Sequence, residues 1–246
     1  MHKPADLLEL LVSGIRHVLP RAHSLREALH ADPRLGGDEG PTTAMVTQAL
    51  PFVDWTPVAG TGAVGRVGPK GPAVGVRAEL DALPILEKTG ARFASRTRGV
   101  MHACGHDVHI AALWALMTAA HEVDLPVGLV GVLQPREEIA PSGAEDVVAS
   151  GLLTEMDVQA MIGVHVQPRV RAGVLSTGVG GVNASFDEFT ITVKGEPGHG
   201  AYPHLALDPI SILATIVLGL SEIGARAIDP THPSVISVGQ ISGGTA

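Results

Sequence analysis

Residues 127–133 read Val-Gly-Leu-Val-Gly-Val-Leu, and residues 134–138 continue Gln-Pro-Arg-Glu-Glu. An unbroken apolar run of this length suits a central strand covered on both faces. Upstream, residues 105–122 carry Trp114, two leucines and many alanines and read as a buried helix. Before it, residues 53–58, 63–67 and 73–78 are short Val-rich segments separated by Gly and Pro, the texture of strands. Downstream, residues 142–150 read as a short helix ended by Gly151, and residues 160–166 as a second buried strand. Strands alternating with helices predict a layered α/β domain with a mixed central sheet flanked by helices.

The first fifty or so residues have helical periodicity: Leu7, Leu8, Leu11, Ile15, Val18 and Leu19, continued by Leu25 and Leu29. Pro33, Gly36 and Gly37 break it, and Asp38 or Thr42 is expected to start a second helix ending near Pro51. Small, Gly-rich residues 176–184 mark a boundary. The expected organisation is residues 1–178 as the main domain and residues 179–246 as a smaller, incomplete α+β domain. In the latter, residues 186–193 alternate like a half-exposed strand. Asp208 and Pro209 sit where a helix cap and first-turn Pro belong, before the apolar run 210–223, and residues 234–241 read as another strand.

The chain has 246 residues, 45% hydrophobic and 17% charged, which is ordinary for a globular protein with a core. Aromatics are only 3%, so aliphatic side chains must fill that core. A net charge of -8 without a basic patch argues against nucleic acid. The most apolar run, residues 110–120, is too short to cross a bilayer, and charges interrupt the N-terminal apolar spacing, so no membrane partner or secretory leader is expected. Cys104 is the one cysteine, which rules out an intrachain disulfide and suits a reducing, cytoplasmic compartment.

The chemistry-bearing residues concentrate in residues 101–109, Met-His-Ala-Cys-Gly-His-Asp-Val-His. Cys104 and His106 are two apart and would share a side in extended backbone. Thiolate and imidazole are ligands for zinc and similar cations. Alone, the pair could equally be a structural cysteine beside surface histidines. Three further groups change that balance: the acid pair Glu137–Glu138 after the most hydrophobic strand, His165 after the strand at 160–166, and Asp81 after that at 73–78. Each has a bland reading as a solvated acid, a core histidine or a turn aspartate. Four ligand-type groups just past the strands of one sheet favour a metal site, because sites in α/β sheets gather at carboxyl ends of strands. Gly60–Gly68 lacks the Gly-Lys-Ser/Thr of a phosphate loop, and no Gly-x-Ser-x-Gly elbow surrounds Ser142 or Ser176.

Six blocks, residues 25–39, 77–95, 99–113, 133–153, 163–166 and 193–210, resemble in content and order the aminoacylase, hippurate hydrolase and indole-acetyl-amino-acid hydrolase group of metallopeptidases (peptidase family M-twenty). The resemblance implies hydrolysis of the amide bond of an N-acyl amino acid by a metal-activated water, at a site of two divalent cations, Zn or Mn with Co or Ni as alternatives. It puts Cys104, His106, Glu138 and His165 on ligand positions, Glu137 on the general base and Asp81 on the acid that orients the site. It further implies a homodimer whose small domain is a lid and dimerisation unit, with His199 reaching an active site to hold substrate or oxyanion. Asn183 and Gly198 also match, and His204 is left open.

The sequence departs from the family at Glu79, where Asp is more usual, at Arg136, where a small residue is usual, and at Gly200, usually Ala. Family members run on well past Ala246, so the resemblance implies a C-terminal truncation that omits the last metal-binding histidine, with weak metal binding and poor turnover. Two competing readings remain: a carboxypeptidase or dipeptidase of the same superfamily, and an inactive dimerising module.

Overall fold

The computed structural model describes residues 4–182, 185, 187–229 and 231–244. The chain divides into two compact units, Met1–Val182 and Asn183–Ala246, a division four residues past the expected one.

In the first unit, α1 (Pro4–Ala31) and α2 (Gly40–Gln48) precede strands β1 (Asp54–Val58), β2 (Gly62–Val67) and β3 (Ala73–Glu79). Helix α3 (His106–His121), strand β4 (Gly128–Gln134), helices α4 (Gly143–Ala149) and α5 (Leu152–Glu155) and strand β5 (Val158–Gly163) follow. The sheet order is β1-β2-β4-β3-β5. Strands β1, β2 and β4 pair antiparallel, whereas β3 is parallel to both β4 and β5. The sheet is therefore mixed and flanked by helices.

The apolar run at 127–133 becomes β4, between β2 and β3, and Val130 and Leu133 are fully buried. One face packs Val18 and Leu29 of α1, Val46 of α2, and Ile110, Trp114 and Met117 of α3 into the main core. The other packs Val64, Val130 and Val132 against Val147 of α4 and Leu152 of α5. Helices α1 and α3 cross closely where Gly14 meets Ala119; a Cβ at Gly14 would lie 2.9 Å from the Ala119 Cβ.

Several expectations are corrected. Glu39, not Asp38 or Thr42, occupies the cap position of α2, followed by Pro41 in the first turn. The strand expected at 160–166 is shorter, and it is exposed: it forms an edge beside β3, with Met161 43% and Ile162 48% accessible. An apolar run specifies strand character but not whether a neighbour covers it.

In the second unit, a 3₁₀ turn (Pro203–Leu205) leads into α6 (Pro209–Arg226), whose cap Asp208 accepts the Ile210 N–H at 2.9 Å. Glu196 and Leu207 form an isolated antiparallel bridge. Among the described residues, the stretches expected as strands at 186–193 and 234–241 form no ladder, and Phe186 lies outside those residues. Alternation selects the face a strand would bury, but a strand exists only through hydrogen bonds to a partner. No helix among the described residues is long and apolar enough to cross a membrane.

Candidate metal centre

The three parallel strands end side by side, and the segments leaving them carry most of the candidate residues. Asp81 lies two residues beyond β3, Glu137 and Glu138 beyond β4, and His165 two residues beyond β5. Cys104 and His106 come from the start of α3. They are not in extended backbone: Gly105 sits between them as the helix cap with φ 88°, a left-handed conformation that favours glycine. A Cβ there would also run into the Val166 side chain.

This turn brings Cys104 Sγ to 3.2 Å from His165 Nε2. His106 is fully buried, and its Nδ1 donates to the Asp81 carbonyl at 2.8 Å. Its Nε2 then faces the acid pair, 3.7 Å from Glu137 and 3.9 Å from Glu138. The His165 Nδ1 is likewise committed, donating to the Val166 carbonyl at 2.7 Å. Both imidazoles thus turn Nε2 toward the cluster, that of His106 without a partner and that of His165 against Cys104 Sγ. Asp81 accepts the Glu138 backbone N–H at 2.8 Å, which ties the acid pair to the end of β3.

Donor atoms of Cys104, His106 and His165 lie within 4.8 Å of one another, and so do those of His106, Glu137 and Glu138. The His106 Nε2 and Glu138 Oε1 are buried and have no hydrogen-bond partner. A lone pair and a carboxylate oxygen facing each other without a donor between them are what a cation would satisfy. Thiolate, imidazole and carboxylate suit a borderline divalent ion, so the residues fit such a group. A third grouping, Glu79, His106 and His109, is less suited because two of its members are already engaged with other groups: His109 Nδ1 meets Glu79 Oε2 at 2.8 Å, and its Nε2 accepts the Val166 N–H at 2.9 Å.

The cluster's charge state follows from these contacts. Burial pushes the Cys104 thiol up to about 12, and the nearby Glu138 and Glu137 push the same way. Burial raises Glu137 above the usual carboxylate range, reinforced by Glu138 and opposed by His106 and Arg77. For His106, burial alone would lower the pKa, but the Asp81 hydrogen bond and the Glu79 charge outweigh it and raise it. The same negative surroundings that attract a proton would attract a metal cation.

Sequence reasoning did not assign Arg77, Glu79 or His109. Arg77 donates to Glu79 at 2.7 Å, lies 3.7 Å from Glu137, and bonds Gln134. A signal existed: Arg77 and Glu79 alternate on one face of β3, and His109 is three residues from His106 on the first turn of α3. Of the residues assigned by resemblance, Cys104, His106, Glu137, Glu138, His165 and Asp81 come together. His199 belongs to the second unit, where its Nδ1 accepts the Ala201 N–H at 3.1 Å. Asn183 lies outside the described residues.

This network carries a prediction about acid stability. Burial alone would raise the Glu79 pKa, but the His109 hydrogen bond and Arg77 hold it at about 2 against an ordinary 4.5. Its folded-state pKa is the lower one, so the stability it contributes is present above pH 4.5 and lost as pH falls toward 2. The difference corresponds to roughly 3 kcal/mol. Burial also holds His102 at about 4 against 6.5, so the unfolded chain takes up a proton first between those values. Thermal melting of the metal-free chain should therefore fall from about pH 6.5 downward, and Glu79→Gln should flatten the part below pH 4.5. Parallel pH profiles for both proteins would contradict this.

A mixed sheet with cation-type donors at the ends of its parallel strands defines an α/β protein with a metal centre. The model of peptidase family M20/M25/M40 matches residues 75–239, and the chain belongs to that family. It is similar to the N-acetyl-L-cysteine deacetylase of Bacillus subtilis, 36% identical over 228 residues, covering 90% of this chain and 54% of the relative. It is also similar to thermostable carboxypeptidase 1 of Saccharolobus solfataricus, 35% identical and covering 98% and 63%. A solved Bacillus subtilis structure, a dinuclear metal-binding peptidase of the M20 family, is 33% identical with a TM-score of 0.58, covering 64% of this chain and 46% of that one. The chain thus spans 54% to 63% of the length of these two sequence relatives.

Proposed function

We propose that this chain carries the metal centre of a hydrolase that cleaves the amide bond of N-acyl amino acids. The observation that carries this reading is the unpartnered His106 Nε2, aimed at Glu137 and Glu138 beside the Cys104–His165 pair. Cys104, His106, Glu138 and His165 are the ligands, for two divalent cations, zinc or manganese foremost, with cobalt or nickel as alternatives. Such cations lower the pKa of a water and polarise an amide carbonyl. Glu137 takes the proton of the attacking water and delivers it to the departing amine nitrogen, so one carboxyl serves as base and then as acid. Its raised pKa suits both halves of that exchange. Asp81 orients the site through His106 and the Glu138 amide.

The second unit serves as lid and dimerisation element in a homodimer, with His199 and Asn183 holding substrate. A reducing, cytoplasmic setting would keep Cys104 available as a ligand. The similarity to a carboxypeptidase supports a second reading, hydrolysis of peptides at a free C-terminus.

One experiment separates these readings. The metal-stripped chain is reloaded with zinc, manganese, cobalt or nickel, its metal content is measured, and N-acetyl amino acids and dipeptides are supplied in parallel. Metal-dependent release of acetate supports the first reading, and release of free amino acids from dipeptides alone supports the second. A folded chain that retains no metal contradicts both.

A further inference from the structure

His165 is the most weakly supported member of the cluster. It follows edge strand β5, its own side chain is exposed, and Val164 before it is 56% accessible. Yet its Nε2 lies 3.2 Å from Cys104 Sγ. The tie is at the next residue. The Val166 N–H donates to His109 Nε2 at 2.9 Å, and the Val166 side chain fills the space over Gly105.

A backbone amide can only donate, so His109 Nε2 carries the lone pair and Nδ1 the proton. That proton points at Glu79 Oε2, 2.8 Å away, while Arg77 holds the other Glu79 oxygen at 2.7 Å. His109 is buried in the first turn of α3, three residues from His106. Every polar atom of this chain of contacts is paired, which makes the ring a fixed post. The Val166 carbonyl in turn accepts from His165 Nδ1 and fixes which His165 nitrogen faces the cluster.

We propose that His109 is a positioning residue: by accepting the Val166 amide it fixes His165 in place to bind metal beside Cys104 and His106. The inference rests on the reading of His165 as a ligand. Groups supporting metal ligands typically change affinity by about 10–100-fold when removed.

The test is cobalt titration of the metal-stripped full chain, followed by the thiolate-to-cobalt absorption in the near ultraviolet, with folding of each variant checked by thermal melting. Cys104→Ser should abolish the band. His109→Leu should weaken cobalt binding by roughly tenfold or more. His109→Gln, whose amide oxygen reaches the Nε2 position, should bind within a few fold of the unaltered chain, whereas the shorter His109→Asn should not. The last arm isolates the route: once His165→Ala is in place, adding His109→Leu should cause no further loss, because both changes remove one ligand. Wild-type affinity in His109→Leu, equal affinity in the Gln and Asn variants, or losses that multiply in the double variant would each overturn the proposal. Failure of the metal reading looks different: the unaltered chain would itself show no Cys104-dependent band, and the positioning role would go with it.

Discussion

Replacing Glu137 with glutamine is expected to cut amide hydrolysis by roughly 10²–10⁴-fold while leaving bound metal unchanged. The argument rests on its position relative to its neighbour. Glu138 has a buried oxygen without a partner and a backbone amide fixed by Asp81, which holds it in one place, as a ligand requires. The Glu137 side chain is 36% exposed, with one oxygen 3.7 Å from His106 and the other 3.7 Å from Arg77, so it is restrained yet open to solvent and substrate. Glutamine keeps the size and the contacts but cannot take a proton. Metal content measured beside turnover distinguishes the two carboxylates: Glu138→Gln should lose metal and activity together, whereas Glu137→Gln should lose activity alone. Loss of metal on Glu137→Gln would make Glu137 a ligand and leave the proton transfer without a carrier.

How much of this was legible beforehand depended on the range of the interaction. Residues 127–133 could be placed at the sheet centre because burial on both faces leaves a local mark, an uninterrupted apolar run. Asp81, Glu138 and His165 were visible as ligand-type residues following apolar strands, with Cys104 and His106 as a clustered pair ahead of a helix, and the parallel arrangement of β3, β4 and β5 brings those strand ends together. The sequence could not show how Cys104 and His106 meet, since the left-handed turn at Gly105 replaces the extended segment that their spacing suggested. Nor could it show that β5 is an exposed edge, because Met161 and Ile162 look the same in a strand with one neighbour as in a strand with two. His109 escaped for a related reason: its role depends on Glu79, 30 residues away, and Val166, 57 away. Polar networks between distant segments leave little periodicity to read.

Glu39 is the most consequential of the long-range contacts, and its removal should have the largest effect on stability. It is fully buried at the start of α2. One oxygen accepts the Arg136 N–H at 2.7 Å; the other accepts the Gly37 N–H at 2.8 Å and the Thr61 hydroxyl at 2.7 Å. One carboxylate thus joins the loop before α2, the β1–β2 turn and the loop that carries the acid pair. Glu39→Ala leaves three donors facing a cavity, and at about 1–3 kcal/mol for each that finds no water the loss should reach roughly 3–5 kcal/mol. For a unit of this size that lowers the melting temperature by about 10 °C or more. Glu39→Gln should cost less, because its amide oxygen can still serve Arg136 and the Thr61 hydroxyl can turn to accept from its NH₂, leaving only the Gly37 N–H facing it donor to donor. The functional consequence runs through Arg136, held at φ 50°, a left-handed conformation that costs a non-glycine residue about 1–3 kcal/mol and persists only while its surroundings enforce it. With the Glu39 anchor gone, Arg136 is free to relax and carry Glu137 out of line with His106. A Glu39→Ala chain that melts with the unaltered protein would show that water replaces the carboxylate at all three donors and that the loop holds its shape unaided.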